Sequence, residues 1–309
     1  MPPSPASTVP RNLFPFGSRF APPSRLPRPI PPFPGETTTS YLYRLAIVNP
    51  LRPGDLRAHL TGTRRRVPVT PDGLAAATGR SPHCLSYALP ELRPGTTPGA
   101  DPVLPAHVRR TICWRCAAHR GAFGLATVWR PAEVNICPTH LIWLGSGVHA
   151  QRSGQHYIGD LPEIIRAQRR HCRLARCLSR QTTADAFAEA AHITALWAHH
   201  GFHRDRLIPL IRAFPGRSPP TGELHPGDPI MPIVTYPETV DLARVLAAPR
   251  WRHPSAPASK DELRQFQREI DQHVGIEYHP EDSLYDPLFG WFCKRHGLSH
   301  RARIRQFAS

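Results

Sequence analysis

Four residues of the types that bind metal ions stand in two pairs near the middle of the chain. Cys113 and Cys116 form a Cys-x-x-Cys pair, and Cys137 and His140 form a Cys-x-x-His pair further along. Two intervening residues let a tight turn aim both side chains at one ion. The pattern predicts one structural Zn²⁺ ion in a closed tetrahedral Cys₃His site. Between the pairs, β-branched and aromatic residues of 123–136 predict a small β-hairpin.

A closed site constrains the chemistry. Four protein ligands leave no coordination position for water, so we expect the ion to stabilise the fold without taking part in catalysis. A disulfide or a chance arrangement of cysteines is the alternative. Upstream of the first pair there is no His-x-Glu, as a zinc deaminase would require, and the chain has no P-loop. The sequence therefore predicts a protein that is not an enzyme.

The charge balance favours an anionic partner, of which nucleic acid is the commonest. Lysine and arginine together number 39 against 23 acidic residues, which gives a net charge of +16. Only Lys260 and Lys294 are lysines, however, and the chain is also rich in proline, alanine and glycine. A G+C-rich genome would produce the same arginine excess, so both interpretations of the charge stay open.

The compartment follows from the cysteines and the amino terminus. A zinc motif together with an odd number of cysteines, seven, is typical of a reducing cytoplasm. The first residues lack the apolar centre of a secretory signal, and no apolar run is long enough to cross a membrane. We expect a cytoplasmic protein without a membrane partner.

Proline and arginine alternate through residues 1–32, which predicts a disordered Pro/Arg-rich arm. Residues 33–150 are predicted to form one domain that contains a helix-turn-helix and the zinc site. Helices are expected over 41–48 and 53–60.

The helix-turn-helix prediction rests on the segment 70–89. Thr70 is a helix N-cap with Pro71 in the first position, Gly79 terminates that helix, and a second helix runs from Pro82 towards Leu89. The alternative is that both helices simply pack a small helical domain. Nearby basic residues would contact phosphates if DNA is bound: Arg64, Arg65, Arg66 and Arg80.

Residues 151–309 are predicted to form a helical domain with a Pro/Gly-rich hinge near 215–234. A helix that starts at the Asp160-x-x-Glu163 sequence places further arginines on one face: Arg166, Arg169, Arg173 and Arg176. This face is either solvated or a surface for nucleic acid or an acidic partner. The aromatic segment 284–296 is expected to dock on a core or, failing that, to form an exposed protein interface. The predicted fold class is thus mainly α, with a small zinc-ribbon or knuckle β-hairpin.

Several of these features together resemble the TniQ/TnsD family of transposon target-site selection proteins. They are Pro34-Gly35-Glu36, Ser40-Tyr41-Leu42, the helix-turn-helix-like stretch that ends near Leu89, both ligand pairs, and Trp129. The resemblance covers roughly residues 31–145. Many family members carry a further Cys-x-x-Cys soon after the knuckle histidine, whereas 141–149 contain no cysteine, so a second metal site is not expected here.

The resemblance implies a non-catalytic adaptor in DNA transposition. Such an adaptor links target DNA, read directly or through an RNA-guided targeting complex, to an AAA+ transposition ATPase that recruits the transposase. The alternative is a zinc-stabilised helix-turn-helix transcription regulator, which would bind specific half-sites as a homodimer without an ATPase partner.

Overall fold

A computed structural model describes ten stretches of the chain, and these divide between two compact units. They are residues 23–63, 67–96, 104, 106–122, 126–148, 154–202, 204–214, 228–254, 259–278 and 286–297. The first unit contains residues 23–34 and 38–96, and the second contains 35–37 and the described residues from 104 onward. Residues 38–96 and the described residues from 104 onward thus fall in different units, and the domain boundary at 150 that the sequence predicts stays a prediction.

Four short helices form the first unit, and their ends follow the local sequence signals. They are α1 (Thr38–Val48), α2 (Pro53–Thr61), α3 (Pro71–Thr78) and α4 (Pro82–Ala88), followed by a 3-10 turn at Pro90–Leu92. The Thr70 hydroxyl accepts a hydrogen bond from the Gly73 amide at 3.1 Å, and Gly79 adopts a left-handed φ of 68° after α3. Because Ser81 caps α4 in the same way, the predicted pair of helices joined by a glycine turn is present.

The core of the first unit also includes part of the predicted arm. The amide of Leu26 donates to the carbonyl of Ala77 at 2.8 Å, and the Leu26 side chain is buried among α1, α2 and α3. Side chains of α1 and of the residue directly after it also bond to the backbone of this segment: Asn49 bonds to Arg28, Tyr41 to Ile30 and Arg44 to Pro31. Residues 23–32 therefore pack on the helices despite their proline-rich composition. Residues 1–22 of the predicted arm lie outside the described residues.

A two-stranded antiparallel sheet opens the second unit. Strand β1 (His107–Thr111) pairs with β2 (Thr127–Pro131), and the helix α5 (Trp114–His119) lies between them in sequence. The sequence correctly predicts a β-hairpin, but it places both strands within 123–136, whereas only the second strand lies there. The first strand lies upstream of Cys113, since the residues after that cysteine turn into α5.

Eight helices complete the described part of the second unit. They are α6 (Pro162–Cys177), α7 (Arg180–His199), α8 (Arg204–Arg212), α9 (Met231–Val234), α10 (Tyr236–Leu246), α11 (Pro249–Arg252), α12 (Lys260–Val274) and α13 (Pro287–Arg295). Helix α10 packs against α6, α7 and α12. The prediction of a mainly α fold with a small hairpin is confirmed. Within the described ranges, none of the helices has the length and apolar character needed to cross a membrane.

Part of the predicted hinge belongs to the core. Residues 215–227 lie outside the described part of the chain, but α9 follows them, and Ile230, Met231, Ile233 and Val234 are each at most 1% exposed. Four apolar side chains in five residues stabilise packing more than Pro232 opposes it, because proline is tolerated in the first turn of a helix. The hinge prediction is thus wrong for 230–234.

The aromatic carboxy-terminal segment docks on the core, as the first of its two predicted alternatives requires. Leu288, Phe289 and Phe292 of α13 are at most 3% exposed and pack with α7, α11 and α12. Tyr285 lies outside the described residues.

Candidate metal centre

The fold brings the four predicted ligands into one cluster. The Nδ1 atom of His140 lies 3.5 Å from the Sγ of Cys113, 3.3 Å from that of Cys116 and 3.7 Å from that of Cys137. The Sγ atoms of Cys116 and Cys137 are 3.6 Å apart, and all four atoms lie within 4.8 Å of one another. These residues could hold one metal ion.

The distances fit the edges of a coordination tetrahedron. A four-coordinate ion with metal–sulfur bonds of ~2.3 Å and metal–nitrogen bonds of ~2.0 Å has S···S edges of ~3.8 Å and S···N edges of ~3.5 Å. A disulfide would bring two sulfurs to ~2.05 Å. The seven cysteines are free thiols in the structure, so the disulfide alternative does not describe this site.

The electrostatics of the cluster also favour a cation. Burial, together with the neighbouring thiols of Cys137 and Cys113, raises the pKa of Cys116 to about 12. Burial likewise raises the pKa of Cys113. Thiolates so close together repel one another unless a positive charge lies between them, so metal binding would release protons from this cluster.

Two turns present the ligands. In the first, α5 begins directly after Cys113, whose carbonyl accepts a hydrogen bond from the Ala117 amide at 2.9 Å. In the second, the Cys137 amide donates to the carbonyl of Ile142 at 2.8 Å, and Leu141 takes a left-handed φ of 48°. Each turn thereby aims two ligand atoms at the same point.

Apolar side chains enclose the cluster on one side. Cys113 and Cys137 are at most 4% exposed and pack with Ile142 and Leu144, while Trp114 is partly buried against them. Cys116 and His140 are half-buried. The site is therefore largely shielded from water, which strengthens the interaction of thiolates with a cation.

The Pro34-Gly35-Glu36 motif contacts the sheet beside this site. The amide of Trp129 donates to the Gly35 carbonyl at 2.7 Å, and Glu36 forms an isolated β-bridge with Val128. Gly35 has a φ of +77°, and a Cβ there would lie 2.9 Å from the Trp129 carbonyl oxygen. Only glycine fits this position, so two parts of the resemblance meet in one backbone contact.

A buried polar network lies behind the second ligand pair. The Asn135 side chain accepts from Arg110 at 2.9 Å and donates to the hydroxyl of Tyr236 at 3.4 Å. That hydroxyl donates to Gln168 at 3.2 Å and lies 3.0 Å from the Nδ1 of His171. Since a hydroxyl carries one proton, Nδ1 of His171 must be the donor to Tyr236, which fixes the neutral tautomer of the imidazole.

This imidazole should make folding stability depend on pH. Burial and, to a smaller degree, the charge of Arg110 lower the pKa of His171 to about 4, below its ordinary 6.5. The unfolded chain therefore binds the proton more readily between pH 4 and 6.5, and stability falls as pH falls through that window. We expect His171 to account for a loss of about 2 kcal/mol in the free energy of unfolding between pH 7 and pH 5.

Denaturant titrations of wild type and His171→Asn at both pH values would measure this loss. Asparagine can keep a donor near Nδ1 but does not titrate, and both proteins share any loss from protonation of the metal ligands. An equal pH dependence in the two proteins would contradict the assignment.

Of the predicted nucleic-acid residues, the structure describes five, one in the first unit and four in the second. Arg64, Arg65 and Arg66 lie outside the described residues. Arg80 is half-buried in the first unit, and its Nε atom has no hydrogen-bond partner in the described part of the chain. The remaining four, in the second unit, share the exposed face of α6: Arg166, Arg169, Arg173 and Arg176.

Sequence reasoning missed two polar residues that flank the metal centre, Gln155 and Gln168. Both side chains bind the backbone next to a ligand pair. A single glutamine carries no spacing signal, so neither could be found without the fold.

Residues 27–144 match the family model described as TniQ. Searches of curated proteins and of solved structures found no match to this chain. The matched region contains the four helices of the first unit, the sheet and all four residues of the metal cluster. The match confirms, over residues 27–144, the resemblance to the TniQ family that was inferred from the sequence.

Proposed function

We propose that this protein is a non-catalytic, zinc-binding adaptor in DNA transposition that helps to select the target site. It would link target DNA, or a targeting complex, to an AAA+ transposition ATPase. The TniQ domain over 27–144 is the observation that carries the proposal, because it supports a role in transposition target selection.

Zn²⁺ is the ion that the cluster suits best. Three thiols and one imidazole at tetrahedral spacing are typical of structural zinc sites. Cys113, Cys116, Cys137 and His140 would fill the coordination shell, so the ion would neutralise thiolate charge and hold two turns together. A shell without an open position supports the non-catalytic part of the proposal.

The exposed face of α6 is the proposed nucleic-acid surface of the second unit. Among the described residues, Arg169 and Arg173 have no carboxylate partner, and Arg166 lies 3.8 Å from an exposed Glu163. Exposed ion pairs of this kind contribute little and are easily exchanged for a phosphate. Arg80 and the unplaced Arg64, Arg65 and Arg66 would add phosphate contacts from the first unit.

If the α6 face contacts phosphates, DNA affinity should fall steeply with salt. We expect Arg169→Ala and Arg173→Ala each to reduce the slope of log affinity against log salt by about 1, across unrelated DNA sequences. Fluorescence anisotropy with a labelled duplex between low and physiological salt would measure the slope.

The matched control is Arg264→Ala, which removes an exposed arginine of α12 that pairs with Asp261. The α6 surface would be rejected if the slope changes as much in Arg264→Ala as in the α6 variants. It would also be rejected if the slope changes in none of these proteins.

The adaptor proposal is tested by affinity purification of the tagged full chain from its native host after nuclease treatment, with mass spectrometry of the retained proteins. Recovery of an AAA+ ATPase or a transposase subunit would support it. Recovery of RNA polymerase, or of no partner, together with sequence-specific DNA binding would favour the regulator.

One observation favours that second candidate. Helix α4 exposes His83, Cys84 and Tyr87, and Tyr87 is 73% exposed, as a recognition helix of a helix-turn-helix requires. A regulator would bind a repeated half-site as a homodimer, which analytical ultracentrifugation with the selected DNA would detect.

A further inference from the structure

We infer that Gln155 and Gln168 are positioning residues of the metal centre, each fixing the backbone from which one ligand pair projects. The inference rests on the zinc centre proposed above and goes beyond it, because neither glutamine contacts the ion. It assigns part of the metal affinity to residues outside the coordination shell.

Gln155 holds the backbone of the first ligand pair. Its side-chain nitrogen donates to the carbonyl of Ile112 at 2.8 Å, and its side-chain oxygen accepts from the amide of Trp114 at 2.9 Å. These two backbone groups lie on either side of Cys113. Gln155 is 7% exposed, so water cannot easily replace the two bonds.

Gln168 makes the same arrangement next to the second pair. From α6, its nitrogen donates to the carbonyl of Glu133 at 2.6 Å, and its oxygen accepts from the amide of Asn135 at 3.0 Å. Asn135 precedes Cys137 by two residues. Its carbonyl also accepts from the Leu144 amide at 2.7 Å, so the backbone is fixed on both sides of the turn.

The two contacts share one geometry. In each, a carboxamide bridges the carbonyl of one residue and the amide of the residue two further on, as the N–H and C=O of a single residue in a neighbouring parallel β-strand would. Buried backbone amides and carbonyls require hydrogen-bond partners, and in each turn one carboxamide supplies a partner to both. The repeated pattern at two separate turns, supplied by residues distant in sequence, indicates a common role.

A further residue holds Gln168 itself. The Tyr236 hydroxyl of α10 donates to the same Gln168 oxygen that accepts from Asn135, at 3.2 Å. Tyr236 is 1% exposed and packs edge-on against Trp143 with ring centroids 5.0 Å apart. The orientation of Gln168 is therefore set by the helical core.

Positioning matters because a tetrahedral ion needs all four ligand atoms at once. The His140 Nδ1 atom already lies 3.3–3.7 Å from three sulfurs that belong to two separate turns. If either turn drifts, the bound state must restore this geometry at an entropic cost, which weakens affinity. Removing residues that orient metal ligands commonly lowers metal affinity by 10–100-fold.

The experiment measures the apparent Zn²⁺ dissociation constant of the purified full chain by competition with a chromophoric chelator. The variants are Gln155→Met and Gln168→Met, which keep the side-chain length but remove both bonds to the backbone. Gln168→Met also removes the bonds with Tyr236 and Cys172. We expect the constant to rise about tenfold or more in each variant. The matched control, Gln181→Met, removes an exposed glutamine whose side chain bonds to Asp185, and it should leave the constant unchanged.

Cobalt substitution separates positioning from the loss of a ligand. Each variant should keep the absorption bands of a four-ligand thiolate–imidazole site at saturating Co²⁺, because the ligands themselves remain. Wild-type affinity in both methionine variants, or an equal change in the control, would overturn the inference. Loss of the four-ligand spectrum at saturation would overturn it as well.

A milder variant covers the case in which a methionine substitution prevents folding. Tyr236→Phe keeps the aromatic packing and the backbone bonds of Gln168, and it removes the hydroxyl that orients Gln168 and accepts from Asn135 and His171. It should raise the Zn²⁺ dissociation constant by less than Gln168→Met does. Unchanged Zn²⁺ affinity in a folded Tyr236→Phe protein would contradict the positioning role of Gln168. These measurements involve neither DNA nor the ATPase, so they stand or fall separately from the adaptor proposal.

Discussion

Cys137→Ser should lose the metal and unfold the second unit while α1 to α4 stay protected. Apparent binding free energies of structural zinc sites are about 10 kcal/mol or more, which is comparable to the whole stability of a domain. All four ligands lie in the second unit, and the first unit has a core of its own. The expected effect is therefore confined to the helices and strands that follow residue 103.

Hydrogen exchange resolved by peptide would measure this outcome. Exchange should speed up over 107–144 and over α6 and α10, but not over 38–92. Cys177→Ser is the matched control, because Cys177 is an exposed cysteine of the same unit outside the cluster. Native protection of 107–144 in a metal-free Cys137→Ser protein would contradict a folding role for the ion.

Phe292→Ala should destabilise the second unit by about 3–5 kcal/mol, the usual cost of deleting a buried phenylalanine ring. Phe292 is fully buried, and its ring lies 5.0 Å from that of Phe266 and 6.2 Å from that of Trp251. The neighbouring rings can relax only partly into the cavity left behind. Thermal and denaturant unfolding would measure the change.

The control for this prediction is Phe202→Ala, since Phe202 is 39% exposed and should contribute far less. If α13 were an interface for a partner protein, Phe292→Ala would leave stability unchanged and weaken capture of the ATPase. An equal loss of stability in Phe292→Ala and Phe202→Ala would reject the assignment of α13 to the core.

Short-range signals made much of the fold predictable. Thr70, Pro71 and Gly79 act within one helix. The ligand spacing of the metal centre is equally local. Residues that close one turn determine its geometry wherever the turn lies in the fold.

Longer-range pairing was not predictable in the same way. Strand β2 could have paired with residues on either side, and only the fold shows that its partner precedes Cys113. Whether apolar residues beside a Pro/Gly-rich segment are buried also depends on the core against which they pack, as for Ile230 and Ile233. Gln155 and Gln168 depend on backbone groups far away in sequence, so composition and periodicity contain no trace of their roles.

The hydrogen bonds of the two glutamines affect where the chain can be truncated without weakening the metal centre. The region that matches the TniQ model ends at residue 144, before Gln155, Gln168 and Tyr236. A fragment trimmed to that region would keep every ligand and lose the groups that orient both turns. We therefore expect a fragment that ends at residue 144 to bind the ion more weakly than a fragment that extends through α10.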